Sequence, residues 1–201
     1  MPRFHRVAHL PPTSSRQRIG LFGGSFDPPH SGHMHVAKTA LKRLDLDQVW
    51  WFPARGNPLK ATPGGFDARL AAVQIMLEGH RAMRASDVEA HAGLTYTIDL
   101  IRLMRAHCPN AQLVWIMGSD SLENFHEWKD WQSLAKLVPI AVIARPGSTQ
   151  ASRSSHFAKV FRKARLPRRA AKLLPGHTAP AWTYLNAPLN PASSTALRNK
   201  R

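Results

Sequence analysis

Two histidines, His30 and His33, bracket Ser31-Gly32 and follow a glycine pair, Gly23-Gly24, within the string Gly23-Gly24-Ser25-Phe26-Asp27-Pro28-Pro29-His30-Ser31-Gly32-His33. Glycines without Cβ let a phosphate reach backbone N–H groups along Gly23, Gly24, Ser25 and Phe26. A helix start just after them adds unpaired N–H groups and the positive end of the helix dipole. Imidazoles at His30 and His33 can then converge on one anion. Taken singly these features say little: glycine pairs after strands are common, and two histidines can be surface residues or half a metal site. A metal would want further ligands, and no Cys or Glu cluster stands nearby. The whole string, set between a strand and a helix, points to the handling of nucleotide phosphates and to nucleotidyl transfer.

Further groups with chemistry follow. Gly118-Ser119-Asp120-Ser121-Leu122-Glu123 is a second strand–glycine–helix junction. Asp120 and Glu123 have the spacing of a capping box, and an acid at Asp120 also suits ribose hydroxyls, which it binds without approaching phosphates. Thr95 or Thr97 would cap the helix that Tyr96 leads into. Trp128 and Trp131 are either core residues or platforms for a flat ring. In the loop of residues 54–65, Arg55 and Lys60 are cations beside the phosphate site, and basic loops of this kind often close over substrate. Ser193-Ser194-Thr195 opens a helix turn with Arg198 one turn on, so N–H, hydroxyl and guanidinium donors can hold phosphate oxygens together.

The elements that must position these groups alternate strand and helix. Residues 19–22 read as a buried strand, and Val36, Ala37, Ala40, Leu41 and Leu44 mark an amphipathic helix face. Residues 48–53 form a second strand, parallel to the first because a helix connects them. Phe66, Leu70, Val73 and Leu77 define another helix, ended by Gly79. A short strand is expected near residues 85–90, a helix through Ile98, Ile101 and Met104, a strand over 111–117, and a strand over 137–144 closed by Arg145-Pro146-Gly147. Residues 147–155 read as a flexible polar loop, 157–174 as a basic helical region broken at Pro167, and 182–185 as the last strand. This alternation, without repeats, predicts an α/β doubly wound sheet, mostly parallel, with helices on both faces. In such a sheet Gly118 to Asp120 share a crevice with Gly23 to His33 at the carboxyl ends of the strands.

Size and composition fit that reading. The chain has 201 residues and a formal charge of +16, which favours polyanionic partners: nucleic acid, acidic membrane surfaces or phosphate-rich small molecules. Much of the charge lies in residues 162–172 and need not belong to the active site. Cys108 is the only cysteine, so no intrachain disulfide is possible. The apolar runs are too short to span a bilayer, and the basic opening segment lacks the apolar core of a secretory signal. Residues 1–18 therefore read as a flexible extension, residues 19–201 as a single domain, and the cytoplasm as the compartment.

Gly23 to His33 resembles the GGxFDPxHxGH signature of the HxGH nucleotidyltransferases, and Ser193 to Arg198 resembles their second signature, SSTxxR. Gly118, Asp120, Leu122, Phe125 and Trp128 resemble a GxDxLxxFxxW block, which narrows the likeness to the nicotinate-nucleotide adenylyltransferases. The resemblance runs from Ile19 almost to the end and implies a Rossmann-like fold. It implies adenylyl transfer from ATP to nicotinate mononucleotide by direct in-line attack, giving deamido-NAD and pyrophosphate. It assigns His30, His33 and Arg198 to catalysis, and Gly23, Gly24, Ser25, Phe26, Lys60, Asp120, Ser194 and Thr195 to ATP and its phosphates. Tyr96, Thr97 and Trp128 fall to the nicotinate ring, with Trp128 stacking on it and nearby backbone N–H groups taking the carboxylate. Mg²⁺ would be held mainly by the ATP phosphates, with few or no protein ligands.

The chain departs from relatives in ending three residues after Arg198 and in lacking a histidine in the Asn57-Pro58-Leu59-Lys60 loop. Rival readings are another enzyme of the superfamily, acting on nicotinamide mononucleotide or phosphopantetheine or transferring a cytidylyl group, and an RNA-binding protein, which the charge invites. Class I aminoacyl-tRNA synthetases share a related His-x-Gly-His element, but against RNA the chain has no KMSKS-like loop and no room for an anticodon-binding domain.

Overall fold

The computed structural model describes residues 10, 13–56, 64–146 and 154–186. Its centre is β1 (Arg18–Gly24), flanked by β2 (Gln48–Pro53) and β4 (Gln112–Gly118). With β3 (Met83–Ala85), β5 (Ile140–Ile143), β6 (Arg165–Leu166) and β7 (Trp182–Leu185) they form a seven-stranded sheet ordered β3-β2-β1-β4-β5-β7-β6. Every pairing is parallel. The sheet thus winds outward from β1 to β3, then restarts at β4 on the other side of β1.

Side-chain alternation along the strands divides the interior into two layers. Ile19 and Leu21 of β1 join Trp50, Phe52, Leu113, Trp115 and Ile140 on one face, covered by α4 (Thr97–His107), α6 (Trp131–Leu137) and α7 (His156–Val160). Phe22, Val49, Trp51, Val114, Ile116 and Ala141 face the other way, against α1 (Ser31–Arg43), α2 (Phe66–Leu77) and a 3₁₀ helix, Arg168–Gly176. Strands buried on both faces explain the near-continuous apolar runs. Val36, Ala37 and Ala40, the face expected of α1, are buried. The tail of the expected extension is attached: Leu10 packs on the first layer, and the Arg16 N–H donates to the Asn110 carbonyl at 2.8 Å.

Four expected elements differ. The strand near residues 85–90 ends at Ala85, because the Ser86 hydroxyl accepts from the Val88 N–H at 3.3 Å and turns the chain into α3 (Val88–His91). The strand over 137–144 is shorter: Leu137 closes α6, and Pro139, with no N–H to give, offers only its carbonyl to the Trp115 N–H at 2.8 Å before β5 begins at Ile140. The basic region 157–174 is not a helix broken once. Phe157 and Phe161 pack on one layer, Ala171 and Leu174 on the other, so the segment must cross the sheet edge. It does so as α7, a 3₁₀ turn at Arg162–Ala164, the edge strand β6 and the 3₁₀ helix. Neither Thr95 nor Thr97 caps α4. Tyr96 is the N-cap residue, no side chain bonds the helix start, and Thr97 is already its first residue.

The carboxyl end of β1 is also its tightest point. A Cβ on Gly23 would run into the ring of Trp115, which is itself buried on β4. Gly23→Ala is therefore expected to cost about 1–3 kcal/mol through overpacking. A lower urea midpoint with an unchanged m-value would register it, and an unchanged midpoint would show that Trp115 has room to move.

Candidate active site

A sheet that reverses its winding between β1 and β4 opens a crevice at the carboxyl ends of those strands. Here it is a cavity of about 600 Å³. Gly23, Gly24, Ser25 and Phe26 line it from the β1–α1 connection, with His30 and His33. Gly118 and Asp120 enter from the β4–α5 junction, α5 being Ser119–Glu123. Tyr96, Thr97 and Trp128 complete the wall. The structure thus gathers these expected site residues around one space. Lys60, Ser194, Thr195 and Arg198 lie outside the described residues, as do most of the 54–65 loop and the loop after Pro146.

The start of α1 is built from the two histidines. His30, extended at φ −151° and ψ 171°, is the N-cap residue, and its Nδ1 accepts from the Gly32 N–H at 3.1 Å. In return the His33 Nδ1 accepts from the His30 N–H at 3.3 Å. This is a capping box with imidazoles in place of the usual hydroxyl and carboxylate. With both Nδ1 atoms accepting, the neutral rings carry their proton on Nε2. The rings stack with centroids 3.8 Å apart. Burial depresses His30 to a pKa of about 4, helped by Arg145, and His33 to about 2, helped by His30 and Arg145. The pair is neutral at pH 7 and leaves two N–H donors as its remaining polar edges.

Asp120 behaves differently from the spacing argument. Gly118 is the N-cap residue of α5, no side chain bonds that helix start, and the Asp120–Glu123 capping box is not formed. Asp120 instead meets Arg145 at 3.3 Å, and this pair closes over Gly118 so tightly that a Cβ there would strike both side chains. Arg145 follows β5, and its backbone N–H donates to the buried Ser119 hydroxyl at 2.8 Å. It lines the cavity with the histidines, whereas the sequence offered it as the close of a strand and, with Pro146 and Gly147, as a run that fits the family's motif order, without a site role. Parallel pairing of β5 with β4, which sets Ile143 beside Gly118, carries it there.

The two tryptophans separate. Trp128 lines the cavity and packs edge-on against Phe125 at 5.1 Å and Trp115 at 6.4 Å. Trp131 packs among Phe125, Phe157 and Phe161 in the core layer. Beside Trp128, the Lys129 ammonium sits 4.3 Å from the Tyr96 ring centre. Glu89 also lines the cavity and was not anticipated. It is buried, accepts from the Arg55 N–H at 3.3 Å, and burial lifts its pKa to about 8 against the pull of that bond and of Arg69.

The sequence and the fold both have counterparts among known proteins. The cytidylyltransferase-like family model matches residues 21–200. A Caulobacter protein named "Probable nicotinate-nucleotide adenylyltransferase" is 48% identical over 186 residues, spanning 92% of this chain and 98% of its own. A Ruegeria pomeroyi protein of the same name is 45% identical over 183 residues, 90% of this chain and 85% of its own. The chain belongs to the nicotinate-nucleotide adenylyltransferase family. Its fold also matches the structure described as Plasmodium falciparum nicotinic acid mononucleotide adenylyltransferase complexed with NaAD. The TM-score there is 0.69 at 20% identity, over 92% of this chain and 83% of that one.

Burial of these groups in a family member's cavity makes stability depend on pH. Glu89 keeps its proton to about pH 8 when folded but loses it near 4.5 when unfolded, so stability falls as pH rises through that window. His30 and His33 stay neutral when folded while the unfolded chain protonates below 6.5. Stability is therefore also lost as pH falls from 6.5 toward about 4 for His30 and about 2 for His33. The windows overlap between 4.5 and 6.5, where two histidines outweigh one carboxyl, so urea midpoints measured across pH should peak near 6.5. E89Q should flatten the alkaline limb alone, and H33N should make the acid limb shallower, leaving the share that His30 contributes. An alkaline limb unchanged in E89Q would remove the buried Glu89 carboxyl as its cause.

Proposed function

We propose that this protein transfers the adenylyl group of ATP to nicotinate mononucleotide, giving deamido-NAD and pyrophosphate in NAD biosynthesis. One observation carries the reading. In a chain of this family, a single cavity joins neutral, stacked imidazole donors at a helix start to an aromatic wall at Trp128 and Tyr96. The first suits phosphate and the second a flat ring. Membership of the family supports the acceptor, since its relatives are named for nicotinate nucleotide. Among the described residues no helix is long and apolar enough to cross a membrane.

In this reading a phosphate oxygen of nicotinate mononucleotide attacks the α-phosphorus of ATP in line. The new P–O bond forms as the bond to the bridging oxygen breaks, and that oxygen leaves on pyrophosphate with the electron pair. No protein nucleophile and no proton transfer are required, so catalysis rests on positioning and on donors for the developing charge. The Nε2–H groups of His30 and His33 donate to the α- and β-phosphate oxygens, joined by the N–H groups at the start of α1. Arg145, beside them, supplies positive charge, and Asp120, held by Arg145, faces the ribose. Arg198, with Ser194 and Thr195, takes the leaving pyrophosphate, and Lys60 serves as a phosphate contact. Trp128 stacks on the pyridine ring, Tyr96 and Thr97 border it, and backbone N–H groups near Trp128 take its carboxylate.

Mg²⁺, when bound, would neutralise charge on the ATP phosphates. The groups gathered at His30, His33 and Arg145 are N–H donors and a guanidinium, which fit phosphate oxygens rather than a bare cation. Among the described residues no cluster of three or more His, Cys, Asp or Glu is placed to hold a metal ion. In this reading the ion enters on the nucleotide.

The decisive assay is pyrophosphate release with Mg²⁺ and ATP, offering nicotinate mononucleotide, nicotinamide mononucleotide and phosphopantetheine separately and identifying products by mass. Strong preference for the first is expected. Preference for another acceptor would retain the phosphate site and discard the assignment of Trp128 and Tyr96. Within the same assay, H33A should lower kcat by about two orders of magnitude, the usual cost of a lost charge-stabilising donor. W128A should raise KM for nicotinate mononucleotide more than for ATP. Near-normal turnover in H33A, or equal KM changes in W128A, would end the corresponding role.

A further inference from the structure

Arg69, in α2, does not line the cavity and is absent from every motif discussed above, yet it is almost wholly buried, at 4% exposure. A buried guanidinium needs acceptors for its rigid fork of donors. Arg69 finds them on three separate stretches of backbone. Its Nη1 donates to the Ser25 carbonyl at 2.6 Å, its Nη2 to the Ala54 carbonyl at 2.8 Å, and its Nε to the Gly64 carbonyl at 2.8 Å. Ser25 belongs to the phosphate loop, Ala54 follows β2, and Gly64 closes the connection that Ala54 opens. Gly64 is held from its other side as well, its N–H donating to Asp27 Oδ2 at 3.2 Å.

The tie falls where the phosphate loop most needs one. Phe26, directly after Ser25, has φ +48°, the left-handed region that a bulky side chain avoids. Such a residue persists only where its surroundings over-determine it. The Phe26 ring is fixed from one side by Phe22 at 5.4 Å and His33 at 5.0 Å. The Ser25 carbonyl is fixed from the other by Arg69. Because carbonyl and N–H point opposite ways across a trans peptide, drawing the Ser25 carbonyl toward Arg69 turns the Phe26 N–H away from Arg69, and Ser25 and Phe26 both line the cavity. The same logic holds at Ala54, whose carbonyl meets Arg69 while the next N–H, of Arg55, goes to Glu89.

We propose that Arg69 is a positioning residue for nucleotide binding and adenylyl transfer: through three backbone carbonyls it locks the phosphate loop to the end of β2 and to Gly64. It thereby holds the loop N–H groups ready for phosphate without touching the substrate itself. The effect on turnover rests on the function proposed above; the tie does not. A lysine cannot replace it, because one ammonium cannot span acceptors arranged around a planar fork.

R69K and R69A test this, each compared with the parent for kcat, for KM of both substrates, and for amide hydrogen exchange without ligand. KM for ATP is expected to rise and kcat to fall, with kcat/KM for ATP reduced about tenfold to a hundredfold, as misplacement of a loop by an ångström can cause. KM for nicotinate mononucleotide should stay near the parental value. Guanidinium ion should restore part of the lost turnover in R69A, and methylammonium should not. Exchange should quicken at residues 25–27 and 54–56 while β4 and α4 keep their protection. Parental kinetics and exchange in R69A would overturn the proposal, and so would changes in both KM values that merely track loss of folded protein. Failure of both variants to fold would assign Arg69 to the fold alone and overturn it too. If the parent turns over neither substrate, the function falls, and the localised change in exchange still decides whether Arg69 holds the loop.

Discussion

The reciprocal backbone bonds of His30 and His33 set the conditions for everything else in the cavity. A helix start leaves N–H groups without partners, and most chains answer with a hydroxyl or carboxylate. A carboxylate there would meet an incoming phosphate with like charge. This chain answers with two imidazole Nδ1 atoms and places no acid in the first turn of α1. The cap is thus satisfied without spending the positive end of the helix dipole. The bonds also fix both rings through Nδ1, which leaves Nε2–H as the donor for the phosphate contacts proposed above. Desolvation then keeps the pair neutral, with Arg145 adding to the effect. Donors oriented before the ligand arrives need no reorganisation as charge develops, the condition under which electrostatic stabilisation is largest.

That arrangement works only if the loop before the helix is rigid, and the loop is an awkward one. It carries a left-handed Phe26, whose conformation costs on the order of 1–2 kcal/mol. The fold restrains it from several directions at once. Phe26 is buried against Phe22, Trp51 and His33. Asp27 binds the Gly64 N–H, and Arg69 gathers three carbonyls behind the loop. The Asp120–Arg145 pair performs a similar service at the second junction, where it fills the space over Gly118. Charged side chains here shape backbone as much as they offer charge to ligand.

The contrast between these groups explains what the sequence disclosed. Strand β2, strand β7 and the apolar face of α1 were legible because burial imposes a period on neighbouring residues. The crevice was legible because βα alternation leaves one switch point. The phosphate loop, His30, His33, Asp120, Tyr96, Thr97 and Trp128 are contiguous in motifs, and the fold brings them to one cavity. Arg69, Glu89 and Arg145 were not legible as site residues. Each acts on a partner far along the chain: Arg69 on Ser25, 44 residues away, and Glu89 on Arg55, 34 residues away. Before the fold is known, a lone arginine near the start of a helix reads as a solvated residue. The histidine cap escaped for a different reason. The spacing of a capping box was present at His30 and His33, but imidazole is an unusual acceptor for that position, and the same spacing at Asp120 and Glu123 carried the more familiar residues without forming the box.

One side chain relates the two halves of the site to each other. Trp115, on β4, presses its ring against Gly23 so closely that a Cβ there has no room. The same indole meets Trp128 edge-on at 6.4 Å, interplanar angle 79°. The floor of the phosphate loop and the aromatic wall therefore rest on a single rigid ring, itself 1% exposed and fixed by its strand. An in-line displacement depends on the separation of its two substrates to a fraction of an ångström. Loops alone would let that separation drift. A buried indole wedged between a side-chain-free strand end and the ring wall converts it into a dimension of the core, set by packing at crystal-like density. The absence of a side chain at Gly23 is thus as much a part of the spacing as the presence of Trp115, and the glycine pair serves the core as well as the phosphate.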